Sequence, residues 1–151
     1  MGKKIGRKWR LSDTQPQHGK IVLITGANTG IGFEMAMEFA GKGAEVVLAC
    51  RNQTKATNAL ERIRARHPEA IVRTLGLDLA NLNALKQAAD EFIASTPHLD
   101  VLINNAGVMI PPKSTTADGF ELQVGTNHLG HFDFTAHPVS YTHLRAHETC
   151  G

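Results

Sequence analysis

The sequence of 151 residues predicts an α/β fold, a doubly wound parallel sheet with its strands in the order 3-2-1-4. Three observations carry that expectation. Short apolar runs alternate along the chain with amphipathic stretches of helical length. The first of these runs, Lys20 to Thr25, is short and continuous, as in a strand covered on both faces. Between successive runs lies a stretch that only a crossover helix fills, so neighbouring strands run parallel through right-handed connections. Such a sheet opens a crevice at the carboxyl ends of strands 1 and 4, where ligands of doubly wound sheets bind.

The elements follow in order. Lys20 to Thr25 is an apolar run ended by glycine and forms the first strand. Ile31 to Lys42 is the first helix, with Ile31, Met35 and Phe39 as its apolar stripe and Gly41 and Gly43 as its stop. Val46 to Ala49 is the second strand. Ala56, Leu60, Ile63 and His67 mark the next helix face, which Pro68 ends. Ile71 to Leu77 is the third strand, and Leu82, Leu85, Ala89 and Phe92 carry a third helix closed by Pro97. Val101 to Ile103 is the fourth strand, and Asp118 to about Phe134 is helical again. The later strands that would complete the sheet are missing from this pattern.

Composition bounds the function classes. A hydrophobic share of 42% and a charged share of 20% are those of an ordinary soluble globular protein. The net charge of +2 implies no nucleic-acid partner, and the excess gathers in Lys3, Lys4, Arg7, Lys8 and Arg10. Residues 1–15 therefore read as a basic flexible tail, residues 16–136 as the folded part and residues 137–151 as a second tail. No signal-peptide core or membrane-length apolar run follows the basic segment, so no membrane partner is expected. Cys50 and Cys150 show neither metal nor redox spacing, which fits a reducing cytoplasm.

Thr25-Gly-Ala-Asn-Thr-Gly-Ile-Gly32 joins the first strand to the first helix. Gly26 permits the tight turn, Gly30 lets a pyrophosphate approach the backbone, and Gly32 allows the helix to pack closely on the strand. The helix start then offers free N–H groups and a positive dipole end to phosphate.

Thr-Gly-x-x-x-Gly-x-Gly resembles the cofactor motif of the short-chain dehydrogenase/reductases. Three further motifs follow in that family's order: Asp78-Leu79 after the third strand, Asn104-Asn-Ala-Gly107 after the fourth, and Asn127 within Asn-His-Leu-Gly-His-Phe132. The wording Leu-Ala-Cys-Arg, Leu-Ile-Asn-Asn-Ala-Gly-Val-Met and Asn-His-Leu-Gly-His-Phe is similar to the retinol-dehydrogenase-like branch, and within it to soluble microbial members. The resemblance covers about residues 16 to 134 and implies a Rossmann-like dinucleotide site. It places Gly26, Asn28, Thr29, Gly30, Ile31 and Gly32 on the cofactor, with Arg51 and Asn52 after the second strand. It adds Asp78 and Leu79 near the adenine, and Asn104, Asn105, Ala106 and Gly107 along the sheet. By the same resemblance Asn127 matches the Asn of the family's catalytic tetrad. A small-molecule alcohol or carbonyl substrate and a homo-oligomeric full-length form are further implications.

The cofactor expectation is NADP(H). An acidic residue normally ends the second strand of an NAD enzyme and binds the ribose 2′-hydroxyl. Here Cys50 and Arg51 stand there instead, and the planar guanidinium fork suits a 2′-phosphate.

The remaining catalytic residues have no counterpart. The family chemistry needs a Ser and a Tyr-x-x-x-Lys pair whose side chains share a helix face. The one tyrosine, Tyr141, is followed four residues later by Arg145, and Ser140 directly precedes it. The sequence is thus expected to bind cofactor without reducing a carbonyl, as a cofactor-binding fragment of an oxidoreductase. The alternatives are a non-catalytic dinucleotide-binding module or sensor, and a non-functional translation product. Pro138 is expected to break the last helix, and the residues from about 137 onward read as non-native or disordered. His143 and His147 stand at i, i+4, but no acidic partner completes a zinc pattern, so no metal is expected.

Overall fold

The computed structural model describes residues 13–141. Its order is β1 (Ile21–Thr25), α1 (Gly30–Gly41), β2 (Glu45–Cys50), α2 (Gln53–Arg66), β3 (Val72–Gly76), α3 (Leu82–Ser95) and β4 (Val101–Ile103). A short helix α4 (Leu122–Val124) leads into a π-helical segment, Gly125–Gly130, and then α5 (His131–Tyr141). The four strands pair in the order β3-β2-β1-β4, every pair parallel. The expected sheet order is the observed one.

The continuous apolar run of β1 is explained by its two covered faces. Val22 and Ile24 join a core with Phe33, Ala36 and Ala40 of α1 and Ala56, Ala59 and Ile63 of α2. Ile21 and Leu23 point the other way, into a core with Leu85, Ala88, Ala89 and Phe92 of α3 and Phe134 of α5. Each large aliphatic side chain buried this way contributes about 1.5–3 kcal/mol, so β1 anchors both layers. Glu45 at the start of β2 pairs with Arg73 of β3 at 3.0 Å, and the Arg62 guanidinium of α2 lies 4.1 Å from the ring centre of Phe33.

Three local expectations are corrected. The buried stripe of α1 is Gly32, Phe33, Ala36 and Ala40, whereas Ile31 is 75% exposed and Met35 and Phe39 are half-buried. Gly32, Ala36 and Ala40 on that face let the helix axis approach the sheet, while Phe33 packs toward α2, where Arg62 lies over its ring. The last helical region starts at Leu122, not Asp118, because Asp118 to Phe120 lie in a turn closed by the Thr115–Glu121 bridge. Glu121 caps that helix through its carboxylate, which accepts the N–H groups of Gln123 and Val124. Finally, α5 continues through Pro138 to Tyr141. A proline removes one main-chain hydrogen bond and crowds one carbonyl, a local cost that a helix already packed along its earlier turns absorbs. The basic residues Lys3 to Arg10, and Arg145, His143, His147 and Cys150, lie outside the described residues.

Candidate functional site

All four strands end on one side of the sheet, and there the loops enclose a cavity of about 460 Å³. Its wall is built from each strand end in turn. The β1–α1 loop contributes Gly26, Asn28 and Thr29, and the β2 end contributes Cys50, Arg51, Asn52 and Lys55. Leu77, Asp78 and Leu79 come from the β3 end, Asn105 to Val108 from the β4 end, and Thr126 from the π-helical segment.

The loop after β1 folds as a phosphate-type turn for specific reasons. Gly26 has φ +66, and a Cβ there would stand 2.9 Å from the Ala106 Cα. The backbone conformation and the close approach of the β4 loop both require glycine. Gly30, with φ +60, faces open space, and Gly32 packs so closely that a Cβ would lie 2.7 Å from the Gly26 carbonyl oxygen. Thr29, at the N-cap of α1, makes no side-chain capping hydrogen bond, whereas Asn52 caps α2 and Asn81 caps α3. The first N–H groups of α1 are therefore left without a side-chain acceptor beside the cavity, where a phosphate would meet them.

Charge is uneven along the wall. Arg51 and Lys55 are exposed cations at the β2 end, and Asp78 is the one carboxylate among the lining residues. Asp78 Oδ1 accepts the Ala80 N–H at 3.0 Å, which fixes the side chain at the start of the loop. Burial pushes the Cys50 thiol above its ordinary pKa, partly offset by N–H groups of Ala27 and Asn28, so the β2 end carries a neutral group. The Thr126 hydroxyl is buried without a hydrogen-bond partner, an open valence on a residue of the wall.

The β1 and β4 loops are locked together by Thr25, whose side chain is fully buried. Its hydroxyl oxygen accepts the N–H groups of Asn105 and Ala106, each at 2.9 Å, and lies 2.9 Å from His131 Nε2. Asn105 returns a bond from Nδ2 to the Thr25 carbonyl at 2.9 Å. Asn127 ties the π-helical segment to the same region: Oδ1 accepts the Val108 N–H and Nδ2 donates to the Val108 carbonyl, both at 2.8 Å. Ile110, just beyond, is a β-branched residue at φ 49, held by a hydrogen bond from its N–H to Gln123 Oε1 at 2.8 Å.

Of the residues singled out from the sequence, Gly26, Asn28, Thr29, Arg51, Asn52, Asp78, Leu79, Asn105, Ala106 and Gly107 come together on this wall. Gly30, Ile31 and Gly32 form the first turn of α1 beside it. Asn104 and Asn127 instead line an adjoining cavity of about 530 Å³ with His128, His131 and Phe132, and Ala106 borders both cavities. The Asn104 amide donates to Thr135 Oγ1 at 3.0 Å, away from the first cavity. Lys55, Thr126, Val108 and His131 were not singled out. Lys55 was legible in principle, since Asn52 is a natural N-cap and puts Lys55 in the first turn of α2 beside Arg51. Among the described residues no three His, Cys, Asp or Glu side chains gather as a metal site, and no helix is long and apolar enough to cross a membrane.

Comparisons with known proteins agree with this geometry. The family model described as short chain dehydrogenase matches residues 20–146. An uncharacterized oxidoreductase of Schizosaccharomyces pombe is 44% identical over 128 residues, which are 85% of this chain and 38% of that protein. Retinol dehydrogenase 12 of Homo sapiens is 50% identical over 117 residues, 78% of this chain and 37% of its own length. The chain thus spans well under half the length of these relatives. A crystal structure of an uncharacterized protein from Mycobacterium paratuberculosis superposes with a TM-score of 0.77 at 40% identity, over 89% of this chain and 47% of that one. A short chain dehydrogenase from Escherichia coli, crystallised with NADPH, gives 0.68 at 28% identity, over 84% and 55%. With the glycine turn, the Asn-Asn-Ala-Gly loop and the Asn127 segment gathered at the same strand ends, the chain belongs to the short chain dehydrogenase family, on its retinol-dehydrogenase-like side.

Proposed function

We propose that the cavity at the strand ends binds NADP(H). The observation that carries this reading is the β2 end, where a buried neutral thiol stands in place of the carboxylate of an NAD site and two cations, Arg51 and Lys55, share the wall. A carboxylate there would repel a 2′-phosphate, whereas a guanidinium and an ammonium each offer charge-assisted hydrogen bonds. The uncapped start of α1 and the Gly26 turn suit the pyrophosphate, and Asp78 with the Thr126 hydroxyl suits the polar edges of the adenine and its ribose. Asn105, Ala106 and Gly107 supply a floor of small side chains against the sheet. The relative crystallised with NADPH superposes over 84% of this chain with a TM-score of 0.68, which supports this reading.

Bound there, a nicotinamide dinucleotide supplies the hydride for interconverting an alcohol and a carbonyl. That reaction is our reading for the longer protein of the family, with a small-molecule substrate, a cytoplasmic location and homo-oligomeric assembly. For this chain we propose binding without turnover. Tyr141 is the sole tyrosine, and Arg145 stands where the partner lysine would be needed to lower its pKa. We also propose that residues 137–151 are non-native, although the family match runs on to residue 146; an unbroken reading frame through to a Tyr-x-x-x-Lys motif on resequencing of the coding DNA would refute this.

The deciding experiment is titration of the chain with NADPH and NADH, alongside Arg51→Ala. NADPH should bind at least about tenfold more tightly, and Arg51→Ala should erase most of that preference, as expected for losing a charge-assisted hydrogen bond. Equal affinities in the unmutated chain would sink the NADP(H) assignment.

A further inference from the structure

We infer that His131 is a positioning residue, held as the Nδ1–H tautomer, which joins the Asn127 main-chain carbonyl to the Thr25 hydroxyl and so sets the wall between the two cavities. The proton positions follow from valence. His131 is 6% exposed, and its Nδ1 lies 2.9 Å from the Asn127 carbonyl oxygen, which can only accept. Nδ1 must therefore carry the hydrogen. Nε2 is then bare, and 2.9 Å from it stands Thr25 Oγ1. That oxygen already accepts two N–H groups, from Asn105 and Ala106, so its own hydrogen is free to donate. The competing acceptor, the Ile103 carbonyl, is farther, at 3.4 Å. The carbonyl at one end and the saturated hydroxyl at the other demand the same tautomer.

The backbone explains why an imidazole is needed. In a regular α-helix the Asn127 carbonyl would take the N–H of residue 131. Here, at the junction of the π-helical segment with α5, the His131 N–H goes to the His128 carbonyl in a tighter turn, and the His131 ring takes the Asn127 carbonyl. One ring thus repairs the helix irregularity and reaches the end of β1. Through Thr25 it bears on the N–H groups of Asn105 and Ala106, and through Asn127 on Val108, both on the wall of the proposed dinucleotide cavity.

Two measurements test this. Long-range proton–nitrogen correlation NMR on the unmutated chain, at mildly alkaline pH, should show His131 in the Nδ1–H pattern; an Nε2–H or averaged pattern overturns the inference. Second, His131→Phe should weaken NADPH binding by about tenfold, since two buried hydrogen bonds are lost. His131→Asn, whose amide can donate where Nδ1–H did, should recover to within about threefold of the parent, as expected when one of the two bonds is restored. Affinity unchanged in His131→Phe, or equal weakness in both variants, overturns it too. The affinity arm rests on the cofactor reading above, and the tautomer arm does not. A parent chain that binds no NADPH refutes that reading and leaves the NMR pattern to decide the role of His131; a variant that fails to fold leaves the same arm decisive.

Discussion

Replacing Thr25 by valine preserves shape and β-branching while removing one hydroxyl, and the structure predicts how much that costs. Thr25 is fully buried, so nothing from solvent replaces the lost group. Three partners depend on it: the Asn105 N–H, the Ala106 N–H and His131 Nε2. The Asn105 N–H keeps a second acceptor, the Ile103 carbonyl at 3.0 Å, and loses little. The part-buried Ala106 N–H and the buried His131 nitrogen are left without partners, at about 1–3 kcal/mol each. Thr25→Val should therefore destabilise the chain by about 2–6 kcal/mol, out of a total near 5–15 kcal/mol for a domain of ordinary stability. Thr25→Ser keeps the hydroxyl and drops one methyl, for about 1 kcal/mol. Urea unfolding followed by circular dichroism, with slopes compared to check that the denatured states match, separates the two. A valine variant within about 1 kcal/mol of the parent, or a serine variant as unstable as valine, would refute the reasoning, because packing alone would then account for the site.

Other predictions bear on neighbouring parts of the site. Gly26→Ala combines an unfavourable φ with a backbone clash on Ala106, and should abolish dinucleotide binding and cost over about 2 kcal/mol in thermal unfolding. Gly30→Ala has a similar φ but open space around it, so it should cost only about 1–2 kcal/mol; equal losses would show that the contact with Ala106 is irrelevant. The Cys50 thiol is buried and its pKa is raised, so less thiolate is present at any given pH; alkylation at mildly alkaline pH should be slow in the folded chain and fast in denaturant, and a folded-state rate like that of free cysteine contradicts this burial. The Glu121 carboxylate is held below its ordinary pKa by the N–H groups of Gln123 and Val124, so the cap is fully present above the ordinary carboxylate value and lost as pH falls through the depressed one. Amide exchange at Gln123 and Val124 should lose protection across that acidic window, and Glu121→Gln should remove the pH dependence.

The sheet order was legible because it depends on local pattern. Continuous apolar runs with helical stretches between them admit parallel pairing and right-handed crossovers, and the order 3-2-1-4 follows once the glycine turn marks the first strand. Most residues of the proposed cofactor wall were named through the family resemblance, and they gather because they sit at the carboxyl ends of the strands. What the sequence could not decide were contacts between elements. Hydrophobicity favoured Ile31, Met35 and Phe39 as the buried row of α1, but the space beside β1 admits only Gly32, Ala36 and Ala40 with Phe33. The π-helical segment after Val124, the exchange of a main-chain donor for the His131 imidazole, and the meeting of Thr25 with residues about 80 positions away carry no periodic signature. Each arises from packing between segments distant in sequence, where volume and hydrogen-bond valence choose among arrangements that composition and periodicity leave equal.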